Sequence, residues 1–259
     1  MAVGLSILRA RAAPVAVIFR RGPTKAVRMV RWQMTTDELV HGQWFAGRVY
    51  PERCDVSPDG ELVVYFAMRR GDTFNAVSRP PYFTPLCVWE EGGTWGGGGA
   101  WVTNTELRLR ANPAVMQPAA GFTLPAWLEL GWLTGGFDRD TWQPLDSGAR
   151  PFTARKPHPV VTGLELWRRP APTIYDDNTD RHAFAFQIVD RAQLRDELGT
   201  ADWADWHPSG DLAIARDGVI QRTATTRRAL GATATVADFN ADVFEKQAPP
   251  AWALAWPAR

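Results

Sequence analysis

The chain has few of the side chains that disulfide frameworks and metal sites need. It contains only two cysteines in 259 residues, Cys54 and Cys87, which favours two buried free thiols over a disulfide framework. The four histidines are scattered: His41, His158, His182 and His207. None has the i, i+4 spacing of a metalloprotease helix or belongs to a Cys-His cluster, so we expect no metal ion and no cofactor.

An excess of charge and long apolar runs are also missing. The formal net charge is +1, which produces no global field that would attract nucleic acid or an anionic membrane. Leu5 to Leu8 is too short for the apolar core of a secretory signal, and no stretch reaches the length of a transmembrane helix. We therefore expect a cytoplasmic protein without a membrane partner, for which nucleic acid is not a favoured ligand.

The first 36 residues are a local exception, because all their charges are positive. The cations that precede the first acid, Asp37, are Arg9, Arg11, Arg20, Arg21, Lys25, Arg28 and Arg31. Two interpretations stay open: a solvated strand face, or a patch for an anionic ligand or nucleic acid. The valines interleaved with these arginines favour the first.

Turn formers and large aromatic residues are abundant. The chain has 22 Gly, 20 Pro and 13 Trp, which favours many short strands that carry aromatic side chains. Its hydrophobic share of 45% and charged share of 22% are ordinary globular values. We predict an all-β fold with residues 1–259 in one domain, and a single short helix from Arg191 to Leu198, where Leu194 and Leu198 are spaced i, i+4.

A turn-and-strand pattern occurs twice. Ser57-Pro58-Asp59-Gly60 has proline to preset φ at the first central position and glycine where the turn closes, and an apolar strand follows it. Asp205 to Ile214 repeats Asp, Pro and Gly at the same relative places before another apolar run. Gly60 and Gly210 are therefore expected in equivalent turns, each with a backbone conformation that suits glycine.

This pattern, at residues 55–66 and 205–214, resembles the first two strands of a blade in β-propellers of the WD-repeat and Tol-associated kind. The interval from Pro58 to Pro208 has room for about three blades of roughly 45–50 residues, so the resemblance implies about five blades. It also implies closure of one blade by the two ends, with Ala251 to Trp256 as a strand paired to one from the first 45 residues. A decorated β-sandwich is the alternative.

The densest polar group lies between Asp176 and His182. Asp176, Asn178 and Asp180 match the opening of a calcium loop, but Arg181 replaces its glycine and Gln187 replaces its last acid. An active-site loop, with Asp180 and His182 as acid and base, is a second interpretation. A solvated loop is the third.

Paired acids are the other catalytic possibility. Some five-bladed propellers are glycosidases whose carboxylates point into the central channel, and Asp55, Asp138 and Asp205 each begin or precede a strand. The alternative is that Asp55 and Asp205 accept hydrogen bonds from backbone donors of the repeated turn.

Three loops depart from ordinary turn chemistry: Arg79 to Phe83 with its diproline, Glu91 to Gly99 with its glycines, and Asp176 to His182. Within them the side chains best able to anchor a partner are Arg79, Tyr82, Trp95, Asp180 and His182. The glycine-rich loop either packs closely around Trp95 or contacts a ligand.

We therefore favour a monomeric, non-enzymatic scaffold that recognises a protein or small ligand through loops on one face. The alternatives are a glycoside or ester hydrolase and a carbohydrate-binding module with exposed tryptophans.

Overall fold

A computed structural model describes residues 3–22, 26–110, 116–134, 142–145, 153–171, 175–176, 179–180 and 184–259, with the backbone alone at 175–176 and 179–180. The described residues form strands joined by turns, with two short 3₁₀ helices and no α-helix. The all-β prediction is confirmed. By contacts the chain divides into a larger unit, Ser6–Arg139 with Val243–Arg259, and a smaller unit, Met1–Leu5 with Asp140–Asp242.

The first sheet of the larger unit is a four-stranded meander. Its strands pair in chain order and are β1 (Gly4–Arg9), β2 (Val15–Arg21), β3 (Ala26–Gln33) and β4 (Glu38–Ala46). Strand β2 is buried along nearly its whole length because it lies inside the sheet and its first five residues are an unbroken apolar run. Strand β4 is one of the two edge strands, and its first half is largely exposed.

The second sheet carries the first copy of the repeated turn. Its strands are β5 (Arg48–Val49), β6 (Asp55–Val56), β7 (Val63–Arg69), β8 (Asp72–Ser78) and β9 (Pro85–Glu91), and a 3₁₀ helix, Pro51–Arg53, lies between β5 and β6. The order is β5-β7-β8-β9, and β6 also pairs with β7. A third sheet consists of β10 (Gly99–Trp101), β11 (Glu106–Leu109) and β12 (Glu129–Trp132), of which β11 and β12 are parallel.

The smaller unit contains two larger sheets. One has the order β13-β14-β15-β18-β19 and consists of β13 (Gln143–Pro144), β14 (Ala154–Pro157), β15 (Leu164–Pro170), β18 (Phe184–Asp190) and β19 (Gln193–Ala201). Between β15 and β18 the short strands β16 (Tyr175–Asp176) and β17 (Thr179–Asp180) pair with each other. The last sheet is a meander of β20 (Trp203–Trp206), β21 (Leu212–Arg216), β22 (Val219–Thr225) and β23 (Leu230–Asp238).

An aromatic cluster forms the centre of the larger unit. Tyr65, Phe19 and Phe45 all pack on Phe83, with ring centroids 5.3, 6.0 and 5.4 Å away. The buried Tyr65 hydroxyl donates to the Phe83 carbonyl over 2.6 Å, which satisfies its only donor. Phe83 ends the diproline loop, so this cluster anchors that loop to the core.

The two repeated turns share a glycine with positive φ and one hydrogen bond. Gly60 has φ +77° and Gly210 has φ +88°, and their N–H groups donate to the carbonyls of Ser57 and His207, both over 2.8 Å. This confirms the predicted glycine conformation in both turns. The second turn is one residue shorter, because Asp55 pairs with Val64 whereas Asp205 pairs with Ala213.

Two predicted elements are wrong. The helix predicted from Arg191 to Leu198 is instead strand β19, which forms a hairpin with β18. The strand predicted at Ala251 to Trp256 is a 3₁₀ helix, Ala251–Leu254, so no C-terminal strand closes a sheet there. Pro249-Pro250 removes two donors just before it, and the alanines that follow have little β propensity. The fourth strand of the first sheet comes instead from the beginning of the chain: it is β1, which pairs with β2.

His158 connects the loop after β14 to the second repeated turn. Its buried ring contacts the Gly210 carbonyl through Nε2 at 2.7 Å, and Nδ1 accepts from the N–H groups of Val160 and Val161 at 3.0 and 2.9 Å. Since Nδ1 accepts two hydrogen bonds, the proton lies on Nε2 and the ring is neutral. Burial lowers the pKa of His158, although the contact with the Gly210 carbonyl opposes this shift.

We therefore expect stability to depend on pH through His158. Because its pKa is lowered in the folded state, the unfolded state binds more protons between that value and the ordinary one of about 6.5. The free energy of unfolding should be fully retained above that ordinary value and fall as the pH drops through the folded pKa. Denaturation from about pH 7 to about pH 5 measures this slope. The slope should shrink in His158→Asn. An equal slope in the wild type and in this variant would contradict the assignment.

Candidate ligand cleft of the larger unit

The predicted binding residues lie at two ends of one hairpin. Arg79 and Tyr82 belong to the loop that joins β8 to β9, whereas Trp95 belongs to the loop that follows β9. Thr73 pairs with Glu91 at one end of this hairpin and Ser78 with Pro85 at the other, about 17 Å away. The structure brings Arg79 and Tyr82 together and separates Trp95 from them.

The remaining predicted residues cannot be placed at either end of the hairpin. Asp180 is described by its backbone alone, in β17, and both His182 and Asp138 lie outside the described residues. The catalytic interpretation of Asp180 with His182 thus stays a prediction.

Trp95 stands on an anchored loop. Its side chain is 96% exposed, while Arg53 Nη1 donates to the carbonyls of Thr94 and Gly96 on either side of it, at 2.7 and 2.5 Å. The close packing occurs at Gly97, which lies against Phe66. The loop therefore packs through its glycine and its backbone, not around the indole.

Arg79 and Tyr82 hold a tryptophan that the sequence did not single out. Arg79 Nη2 donates to Glu61 Oε2 at 2.9 Å and its Nη1 donates to the Trp252 carbonyl at 3.1 Å. Its guanidinium also lies 4.9 Å from the centroid of the Trp252 ring. Tyr82 is only 8% exposed and packs edge-on against the same ring at 5.5 Å. Tyr82 therefore supports Trp252 and offers little surface of its own.

The chain that follows Trp252 is also anchored. Ala253 is fully buried, and Trp256 packs edge-on against Trp127 with a centroid distance of 5.7 Å. Arg259 Nη1 donates to Asp59 Oδ2 at 2.7 Å. Burial opposes ionisation of Asp59, but hydrogen bonds, that from Arg259 first, outweigh it and lower the pKa of this carboxyl.

Arg79, Glu61 and Trp252 border a cleft of about 300 Å³. Its walls include Arg31, Val40, Glu61, Arg79, Pro80, Pro81 and Trp252. Arg31 and Val40 are register partners on β3 and β4, and the Pro81 carbonyl accepts from the N–H of Gln43 on β4. The cleft is thus formed where the diproline loop lies beside the edge strand, and Trp252, 46% exposed, supplies an open indole face.

One cation in this cleft lacks an acceptor. In the described part of the chain, the Arg31 guanidinium has no hydrogen-bond or ion-pair partner. Arg79 Nε also donates no hydrogen bond among these residues, but it is buried, so a group that enters the cleft does not reach it. The arrangement can therefore offer N–H donors and positive charge to a group that enters the cleft.

The buried acids of the repeat are held by cations. Asp55 Oδ2 accepts from the backbone N–H of Trp101 at 2.8 Å and lies 3.3 Å from Arg11 Nη1. Asp205 accepts from its neighbour's backbone N–H at 2.7 Å and from Lys156 Nζ at 2.7 Å. Asp205 thus bonds a local donor as the turn interpretation expected, while the donor to Asp55 comes from β10.

Some of the residues in and around this cleft were predicted from the sequence, and others were not. The diproline pointed to Arg79 and Tyr82, and the basic N-terminal stretch contained Arg31 without distinguishing it from its neighbours. Trp252 was missed because it was assigned to a strand. The signal that could have found it is the diproline before it, since proline is favoured at the start of a helical turn.

The described residues contain no group of three or more His, Cys, Asp or Glu side chains that could hold a metal ion. Within the same residues, no helix has the length and apolar character needed to cross a bilayer. Comparison of the chain with protein-family models, with curated proteins and with solved structures gives no match.

Proposed function

We propose that this chain is a non-enzymatic binding protein whose ligand enters the cleft beside Trp252. One observation carries the proposal: an arginine without a partner among the described residues, Arg31, borders the same cleft as a half-exposed indole held in place by Arg79 and Tyr82. Ligand sites commonly combine an apolar surface with a few fixed polar groups, and a preformed arrangement lowers the ordering cost of binding.

The size of the cleft limits what it can take. Its volume of about 300 Å³ is at the lower end of ligand pockets. It therefore suits a small molecule, or one side chain or terminal group of a larger partner.

The side chains in the cleft favour binding over hydrolysis. Its ionisable groups are Arg31, Arg79 and Glu61, and Glu61 accepts from Arg79 at 2.9 Å. A general base must be within reach of the proton that it removes and free to accept it. Glu61 is committed to a cation, so the hydrolase alternative draws no support from this site.

The five-bladed propeller interpretation is part of the proposal. Its support is the order of the sheets along the chain: β1–β4, β5–β9, β10–β12, the sheet of β13 to β19, and β20–β23. Small sheets that follow one another along the chain, most of them antiparallel, are typical of blades. This interpretation no longer includes a C-terminal strand that closes a blade, because Ala251–Leu254 is a 3₁₀ helix.

A second candidate, carbohydrate binding, is favoured by Trp95. An indole that is 96% exposed on an anchored loop offers a flat apolar surface, which is what stacking against a sugar ring requires.

A thermal-shift screen separates the two sites. We would screen the wild type, Trp252→Ala and Trp95→Ala against small carboxylates, phosphates, nucleotides and mono- and oligosaccharides. A ligand of the cleft at about 100 times its Kd should raise the Tm by roughly 5–10 °C in the wild type and in Trp95→Ala. The shift should disappear in Trp252→Ala. If the rise in Tm disappears in Trp95→Ala and persists in Trp252→Ala, the ligand binds at Trp95, and carbohydrate binding becomes the favoured function.

A further inference from the structure

We infer that the ligand of this cleft is an oxyanion, a carboxylate or a phosphate, joined to a flat apolar body. The inference rests on the proposed function and adds the chemical class of the ligand. It follows from the donors, the surface and the charge that the described residues place around the cleft.

The donors select an anion. Arg31 borders the cleft and has no hydrogen-bond or ion-pair partner among the described residues. A guanidinium matches the geometry of carboxylate and phosphate oxygens, which can accept two parallel hydrogen bonds from it. An oxyanion would give Arg31 the acceptors that it lacks.

The charge in the cleft is compatible with an anion. Glu61 is the only acid among the described residues that border the cleft, and its carboxylate is bound to Arg79 at 2.9 Å. Asp59, two residues before it in the chain, is paired with Arg259 at 2.7 Å. Arg31 is therefore the cation whose charge stays uncompensated there, in the described part of the chain.

The apolar surface selects the rest of the ligand. The indole of Trp252 is 46% exposed, and Val40, Pro80 and Pro81 border the same space. Arg79 lies over the Trp252 ring and Tyr82 meets it edge-on, so the indole is held on two sides. A flat apolar group can stack on the remaining surface without a large ordering cost.

Matched acid and amide ligands test the inference by isothermal titration calorimetry. We would titrate the full chain with indole-3-acetate, with its neutral isostere indole-3-acetamide, and with phenyl phosphate against phenol. The acid or the phosphate should bind about tenfold or more tightly than its neutral partner, because the neutral form lacks the negative charge and has fewer acceptor oxygens for the guanidinium. The pair with the larger ratio identifies the anion as carboxylate or phosphate.

Two substitutions connect the preference to the cleft. Arg31→Gln should reduce the acid-to-amide ratio to nearly one, while Arg108→Gln, at an exposed ion pair on β11, should leave it unchanged. Equal binding of acid and amide, lost in Trp252→Ala, would overturn the anion inference and keep the binding cleft. Absence of binding by all four compounds, together with a thermal-shift screen that finds no ligand dependent on Trp252, would overturn both.

Discussion

Replacing Asp205 by alanine is expected to lower the free energy of unfolding by about 3–5 kcal/mol, because it leaves a buried cation without its partner. Lys156 Nζ lies 2.7 Å from Asp205 Oδ2, and their side chains are only 11% and 4% exposed. The ammonium also lies 4.9 Å from the centroid of the Trp142 ring, an apolar surface that cannot replace a carboxylate. Urea denaturation monitored by tryptophan fluorescence measures the loss.

A double replacement and a surface pair are the controls. Lys156→Met with Asp205→Leu removes both charges, and it should cost clearly less than Asp205→Leu alone. Glu106→Ala breaks an exposed pair with Arg108 and should cost about 1 kcal/mol or less. If Asp205→Ala lowered the free energy of unfolding no more than Glu106→Ala does, the pair of Lys156 and Asp205 would not be what stabilises this strand.

Replacing Gly97 by alanine should destabilise the larger unit by about 2–4 kcal/mol, through backbone strain and overpacking together. Gly97 has φ +82°, and a Cβ built there would lie 2.1 Å from Phe66 Cε2, with other ring atoms at 2.3 and 2.7 Å. Phe66 is fully buried and cannot move aside without disturbing the sheet.

Gly71 separates the two causes. It has φ +98° but nothing within 4 Å of a built Cβ, so Gly71→Ala should show the conformational cost alone, about 1–2 kcal/mol. Thermal denaturation of both variants compares them directly. A Gly97→Ala protein no less stable than Gly71→Ala would show that Phe66 yields easily, and the anchoring of the Trp95 loop would then need another explanation.

Local chemistry was predictable from the sequence where few residues decide the conformation. Pro58 with Gly60, and Pro208 with Gly210, specify a turn by their own dihedral preferences, and both turns have the predicted conformation. The stretch after Asp190 is the contrary case. Arg191 and Ala192 take φ +48° and +67° and turn the chain into a hairpin, so pairing with β18 overrides the i, i+4 leucine spacing.

The cleft could be predicted only in part because it combines residues far apart in the chain. Arg79 was found through the diproline beside it, which is a local signal. Arg31 is set apart from another N-terminal arginine by its surroundings, which the sequence does not show: Arg11 is paired with Asp55, while Arg31 borders the cleft. Trp252 comes from the other end of the chain, and no short-range pattern joins it to Arg79. Contacts between residues so far apart in the chain are decided by the packing of the whole unit.

The most direct test of the cleft is a map of the tryptophan side chains during titration. In ¹⁵N-labelled protein the 13 indole N–H groups give separate signals, and the spectra of Trp252→Phe and Trp95→Phe identify the two that matter. On titration with indole-3-acetate we expect the Trp252 signal to shift progressively while the Trp95 signal stays in place. A saturable shift of Trp95 with Trp252 unchanged would contradict the account.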